Sequence, residues 1–147
     1  MKIFRVLPSL FLLCSIFGCA GLSTPVPYSE AIQTPKDRLF EFQQKNEKRT
    51  SSIVVIRDEG FAGGGCFNNI WFDGTLAAMM DKAEIATFYL ETGEHIIKIG
   101  NVGRGLCATL RDRIQRETLL KPNQQKYFRL LWNKGDTIPD IQPIVSP

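Results

Sequence analysis

Few side chains in this sequence carry chemistry. His95 is the single histidine, and cysteines stand at positions 14, 19, 66 and 107. A histidine works as a general base when its geometry and neighbours suit the proton transfer, and Asp58, Glu59, Asp73 and Glu94 are candidates to orient it. No nucleophile motif such as GxSxG accompanies them, so His95 reads as a structural or exposed residue beside a strand turn, and no catalytic residue is assigned. The cysteines and histidine form no CxxC or HxxxH pair, whereas zinc usually takes four ligands; neither a metal nor a cofactor is expected. Gly63-Gly64-Gly65 can offer backbone N–H groups to an anion. It lacks the Lys and Ser/Thr of a P-loop, and no predicted helix follows, so it reads as a flexible loop positioning Cys66. The run Arg111-Asp112-Arg113-Ile114-Gln115-Arg116 holds three arginines that suit anionic headgroups or glycan phosphates. Asp112 and Glu117 offset part of that charge, which favours a solvated strand face. Trp71, Tyr89, Phe128 and Trp132 could line a ligand surface. Alternating strands place such residues in cores more often, with Trp132 the best placed for exposure.

The 147 residues carry 18 Lys+Arg against 15 Asp+Glu, a formal charge of +3. That is too weak and too scattered for a nucleic-acid face. Near-average composition excludes collagen-like structure and wholesale disorder. The chain opens with Lys2 and Arg5 ahead of an apolar run from Val6 to Phe17. The run is shorter than the roughly 20 residues that span a bilayer. A basic start followed by a short apolar stretch is the pattern of a secretory signal peptide, read here over residues 1–18. The segment Ile16-Phe17-Gly18-Cys19 resembles the bacterial lipobox, with Ile16, Gly18 and Cys19 matching. The resemblance implies that Cys19 is diacylated on sulfur, becomes the first residue after cleavage and is then N-acylated. Buried acyl CH₂ groups contribute about 0.8 kcal/mol each, so several chains anchor firmly. Ala20 stands where Asp is the usual inner-membrane retention signal, which implies the periplasmic side of the outer membrane in a Gram-negative host.

Cleavage removes Cys14, Lys2 and Arg5, which lowers the formal charge from +3 to about +1. Cys66 and Cys107 then remain as thiols in a compartment that permits disulfides. One bridge between them is the economical reading, and closing that loop contributes roughly 3–4 kcal/mol by chain entropy. A buried free pair and a metal site are the alternatives.

The elements that must position these residues read mainly as strands. Residues 19–50 are expected to form a lipidated tether, Pro-containing up to about Tyr28, followed by a short helix over about Pro35 to Lys45. Thr34 is its expected N-cap, with Pro35 at the first helical position and an acid behind it. Residues 51–147 are expected to form a β-sandwich with an extended C-terminal tail. Ser52–Arg57 is apolar on both faces and suggests a central strand. Asp73-Gly74 between apolar runs signals a tight hairpin. Glu84–Glu91, Glu94–Ile99, a loosely alternating Cys107–Ile114, Glu117–Leu120 and Lys126–Trp132 follow. About seven short strands at this spacing indicate an antiparallel sandwich or barrel, and no βαβ alternation suggests a nucleotide-binding sheet.

Ile70-Trp71-Phe72-Asp73-Gly74, then Phe88-Tyr89-Leu90-Glu91-Thr92-Gly93-Glu94-His95, resembles the PEGA-like pattern of bacterial surface proteins. The wider set Ile56–Phe61, Gly65-Cys66, Gly103–Cys107 and Tyr127-Phe128-Arg129 is similar to a family of uncharacterised bacterial lipoproteins, over roughly Leu39 to Asp140. The resemblance implies an immunoglobulin-like or transthyretin-like sandwich and carries no catalytic residues. The expected role is a non-enzymatic binding or accessory module of the cell envelope, held to the membrane by its lipid, with an envelope protein as partner. A ligand- or glycan-binding lipoprotein and an envelope hydrolase are the alternatives.

Overall fold

Every residue of Ser51–Arg57 is buried, and a strand buried on both faces needs cover on both sides. How the chain supplies that cover explains most of the architecture. The computed structural model describes residues 23–60, 65–105, 107, 113–133 and 139–146. The leader and Cys19 lie outside the described residues, as do Gly63, Gly64, Arg111 and Asp112.

Among the described residues the strands are β1 (Ser23–Thr24), β2 (Ile32–Gln33), β3 (Ser51–Arg57), β4 (Glu59–Gly60), β5 (Phe67–Phe72), β6 (Thr75–Met80), β7 (Glu84–Leu90), β8 (Gly93–Val102), β9 (Arg113–Leu120), β10 (Gln125–Leu131) and β11 (Asp140–Ile144). One sheet runs β11-β10-β3-β7-β2, a second β6-β5-β8-β9, and β1 pairs with β4. The two larger sheets contribute to one apolar cluster. Ile53, Val55, Phe88, Phe128 and Leu130 come from the first, and Ile70, Phe72, Met80, Ile97 and Ile99 from the second. Phe72 packs on Phe88 with ring centres 5.0 Å apart.

The other face of β3 carries Val54 and Ile56, which join Val26 and Ile85 in a second cluster. The cover is the N-terminal segment itself. Ala31 packs against this cluster, and Tyr28 meets the Tyr127 ring edge-on at 6.1 Å. The chain then adds β2 alongside β7 and crosses to the second sheet. There Phe40 N–H donates to Ala77 O at 2.9 Å. Phe42 ends the strap, with its carbonyl accepting Tyr89 N–H at 2.7 Å and its ring 5.8 Å from Phe72.

Several expectations change. From Ser23 onward the expected tether is docked, because the outer face of β3 would otherwise meet water. The expected helix over Pro35–Lys45 is a single 3-10 turn at Lys36–Arg38 that turns extended at Leu39. Ala77 O takes the Phe40 and Glu41 N–H groups, and Thr34 Oγ1 donates to Ile85 O instead of capping. Tertiary hydrogen bonds outcompete a weak local helix signal. The expected tail contains β11, paired antiparallel with β10. Its Pro143 sits on a sheet edge, where a missing N–H is tolerated. The pairing is also not wholly antiparallel, since β3 runs parallel to β10. Five alternating strands, β5 to β9, intervene between them, and that odd number returns the chain in the same direction.

The Asp-Gly hairpin is as expected. Asp73 and Gly74 have φ of 51° and 84°, the two positive values a type I′ turn requires. The disulfide joins Cys66 to Cys107, with Cα atoms 5.4 Å apart. It lies just beyond the end of the β5–β8 ladder, whose last pair is Phe67 with Val102. Gly103, at φ 146°, lets the chain pass the bridge, since a Cβ there would lie 2.8 Å from Cys107 Cβ.

Beneath the strap sits its clamp. Asp58 Oδ1 accepts Val26 N–H at 3.2 Å and is ion-paired to Arg129, which also donates to Val26 O at 3.1 Å. Asp58→Ala should therefore destabilise the protein by about 3–5 kcal/mol, because it strands a largely buried guanidinium. Chemical denaturation measures the loss, and limited proteolysis should find new cleavage within residues 23–42. Replacing Cys66 and Cys107 with Ser together should cost about 3–4 kcal/mol, read by the same denaturation with the oxidised protein as reference.

Candidate functional site

The single histidine sits at the start of β8 on the face that turns inward. His95 is 9 % exposed. Its Nδ1 lies 2.6 Å from Asp73 Oδ2, and its Nε2 is 2.9 Å from the Glu91 carbonyl oxygen, which can only accept. The other Asp73 oxygen accepts Ile96 N–H at 2.8 Å, and Asp73 N–H donates to Ile96 O at 3.0 Å. One carboxylate thus ties the hairpin turn between β5 and β6 to β8, and the imidazole completes the latch. With both ring nitrogens engaged, neither is left to relay a substrate proton. Of the expected orienters only Asp73 reaches the ring. Glu94 lies next to it on the strand, Asp58 belongs to the strap clamp, and Glu59 pairs with Thr24 in the β1–β4 ladder. The arrangement is built to hold a turn.

The concave surface lies alongside. A hollow of about 510 Å³ is lined by Asp73, Glu94, His95, Ile96 and Glu117–Leu119. A larger groove of about 870 Å³ is lined by segments of β9 (Arg116–Leu119), β10 and its approach (Gln124–Phe128) and β11 (Ile141–Ile144). Both include Glu117, Thr118 and Leu119, so they meet across β9. The position of the groove follows from the strap. On the side where β6 lies against β7, residues 32–42 close the gap between the sheets. On the opposite side β9 and β11 are both edge strands, and among the described residues no strap covers the gap.

Two polar ties cross it. Arg116 Nη2 donates to Asp140 Oδ1 at 2.9 Å, and Lys126 Nζ donates to Thr118 Oγ1 at 3.1 Å. Leu119 and Ile96, 52 % and 41 % exposed, form an apolar rim. Edge strands present unpaired N–H and C=O groups. Pro143 blunts β11, which leaves the eight-residue β9 as the longer edge. The chemistry its lining residues offer is polar and apolar contact with charges of both signs.

The other expected site residues fall elsewhere. Cys66 and Cys107 are bridged. In the Arg111–Arg116 run, Arg116 is half-exposed and paired, while Arg111 and Asp112 lie outside the described residues. Phe128 belongs to the core. Trp132, expected to be the most exposed aromatic, is buried, with the Arg57 guanidinium 5.7 Å from its ring. Trp71 and Tyr89 are half-buried.

Sequence reasoning missed the buried charges. Arg57 is 1 % exposed and donates to Met80 O at 2.6 Å. Burial lowers its pKa to about 10, against the pull of Asp81 and Glu84 and with a smaller push from Arg38. Burial also pushes the Asp58 carboxyl up, with Arg129 and Val26 N–H opposing. Asn68 and Asn101, directly opposed on β5 and β8, share a 2.6 Å hydrogen bond in the interior. The only sequence signal for these was a charge ending an apolar run. Among the described residues no group of three or more His, Cys, Asp or Glu could hold a metal ion.

Asp140 gives a pH test of the groove. Burial raises its pKa, but bonds from Gln142, Arg116 and Ile141 N–H outweigh burial and hold it below the ordinary carboxylate value. A depressed folded-state value means stability that is present above the unfolded pKa and lost as pH falls through the folded one. The stability difference between wild type and Asp140→Asn should therefore shrink as pH drops from about 5 through the carboxylate range. Urea titrations at successive pH values measure it, and a constant difference would contradict the assignment.

A scan against protein-family models finds no match for this chain, and no curated protein matches it.

Proposed function

We propose that this chain is a lipid-anchored, extracytoplasmic β-sandwich that acts by binding, as a non-enzymatic accessory module of the cell envelope on the periplasmic side of the outer membrane. Cys19 carries the anchor, and the disulfide-closed body presents the groove between β9 and β11 to a protein partner. The reading needs neither cofactor nor nucleic acid, and it keeps the kinship with PEGA-like lipoproteins as part of the proposal.

The observation that carries it is the Cys66–Cys107 bridge. Structural disulfides belong to oxidising compartments, which agrees with a secretory leader over residues 1–18. The groove supports binding at the surface. The space between the sheets is filled by Phe72, Phe88, Phe128 and Leu130, so a ligand meets this protein at the open side and not in its core. An exposed strand edge suits an extended polypeptide, which adds main-chain hydrogen bonds to side-chain contacts. The latched state of His95 weighs against a hydrolase. Anchoring confines the module to the membrane surface and raises its effective concentration for neighbouring proteins.

Cys19→Ser should move the protein from the membrane fraction to the soluble fraction and abolish incorporation of labelled fatty acid. Unchanged fractionation with unchanged labelling would overturn the anchor.

A further inference from the structure

The strap has a consequence for how the body is held. Strand ends in the two sheets coincide. Arg57 at the end of β3 reaches Met80 at the end of β6, and Ser51 at the start of β3 bonds Lys121 O beyond the end of β9. The body therefore has a first end, carrying β4, Gly103–Gly105, the disulfide and Trp132. It has a second end, carrying Asp73-Gly74, Glu91-Thr92 and the turn at Pro122-Asn123.

Ser23 is fixed to the first end. It pairs with Gly60, its Oγ accepts Trp132 N–H at 2.6 Å, and its N–H donates to Trp132 O at 3.4 Å. The Asp58–Arg129 clamp secures Val26 just behind it. Only residues 20–22 separate Cys19 from Ser23, so their Cα atoms stand at most about 14 Å apart. The body is much longer than this leash. The ten residues of β8 alone extend about 33 Å.

We propose, resting on the reading of Cys19 as lipidated, that the first end of the body is apposed to the lipid headgroups and the second end projects away from them. Glu59–Gly60, Gly103–Gly105 and Asn133 then form the membrane-facing surface. Inversion is beyond the reach of the leash while Ser23 stays docked. The groove and the hollow beside His95 both lie toward the second end: the last part of β9 lines both, joined in the groove by the first part of β10 and in the hollow by Asp73 and the start of β8. They face a partner that approaches from the aqueous side or sits in an opposing layer. The clamp beneath the strap sets this orientation, because releasing residues 23–31 would lengthen the leash severalfold.

The test uses the full lipidated protein in phospholipid vesicles that carry an acceptor dye on the headgroup. A donor is attached at Asn133→Cys or at Glu91→Cys, both exposed positions at opposite ends, after the melting temperature is shown to match the parent. Energy transfer should be severalfold higher from residue 133 than from residue 91. Inserting about twenty Gly/Ser residues between Ala20 and Gly21, with a mean span of about 25 Å, should bring the two signals together. Equal or reversed transfer in vesicle-bound protein of natural length would overturn the orientation alone. A difference that survives the insertion would overturn the leash as its cause. Failure of the protein to bind vesicles would overturn the anchor, and the orientation with it.

Discussion

One strand with two apolar faces governs this structure. Ile53 and Val55 look into the space between the sheets, while Val54 and Ile56 look out the other side. Full burial of each such side chain is worth about 1.5–3 kcal/mol, so leaving the outer face wet would forfeit a large part of a typical domain's stability. The N-terminal segment supplies the missing cover, and a buried ion pair holds it there. Asp58 and Arg129 bond both polar groups of the Val26 backbone, which satisfies the charges as well as the strap.

That solution divides the molecule. The strap closes one flank by adding β2 beside β7 and seating Phe42 against Phe72. Among the described residues no segment does the same for the other flank, where β9 and β11 end their sheets. The open flank holds the concave surface, and its few polar ties leave strand edge within reach of a partner. The strap also places Ser23 at one end of the body. Cover and groove thus depend on the same twenty residues. A change in the clamp should be felt in stability and in exposure of the β3 face.

The histidine shows how chemistry-bearing residues become scaffolding. A histidine near carboxylates has the makings of a base, and Asp73 does lie against His95. Yet the carboxylate is spent on the Ile96 backbone and the ring, and the ring on a carbonyl. The result fixes a type I′ turn against the neighbouring strand. The spacing of Asp-Gly and Gly-Glu-His in the sequence has a physical reason in this latch.

Much was legible in the sequence by itself. The strands at Ser51–Arg57, around the Asp73-Gly74 turn and over Glu84–Ile99, the positive φ of that turn and the Cys66–Cys107 pairing are local or nearly forced, because periodicity, turn sterics and the count of remaining thiols act without knowledge of the fold. The expected separate strands Cys107–Ile114 and Glu117–Leu120, by contrast, are replaced by the single strand Arg113–Leu120. What the sequence left undetermined depended on long-range partners. Thr34-Pro35 signals a helix start, but the distant Ala77 claims the Phe40 and Glu41 N–H groups and Ile85 the Thr34 hydroxyl. Pro143 signals a tail, but an edge position beside β10 tolerates it. Trp132 near the C-terminal end suggests exposure, but Arg57 covers it. Asp58 reads as a candidate to orient His95, but the strap turns it to Val26 and Arg129, and nothing local marks Arg57 as buried. Local sterics and hydrophobic period are written residue by residue; which flank is covered, and at which end the N-terminal strap docks, is decided only when distant segments compete for the same backbone groups.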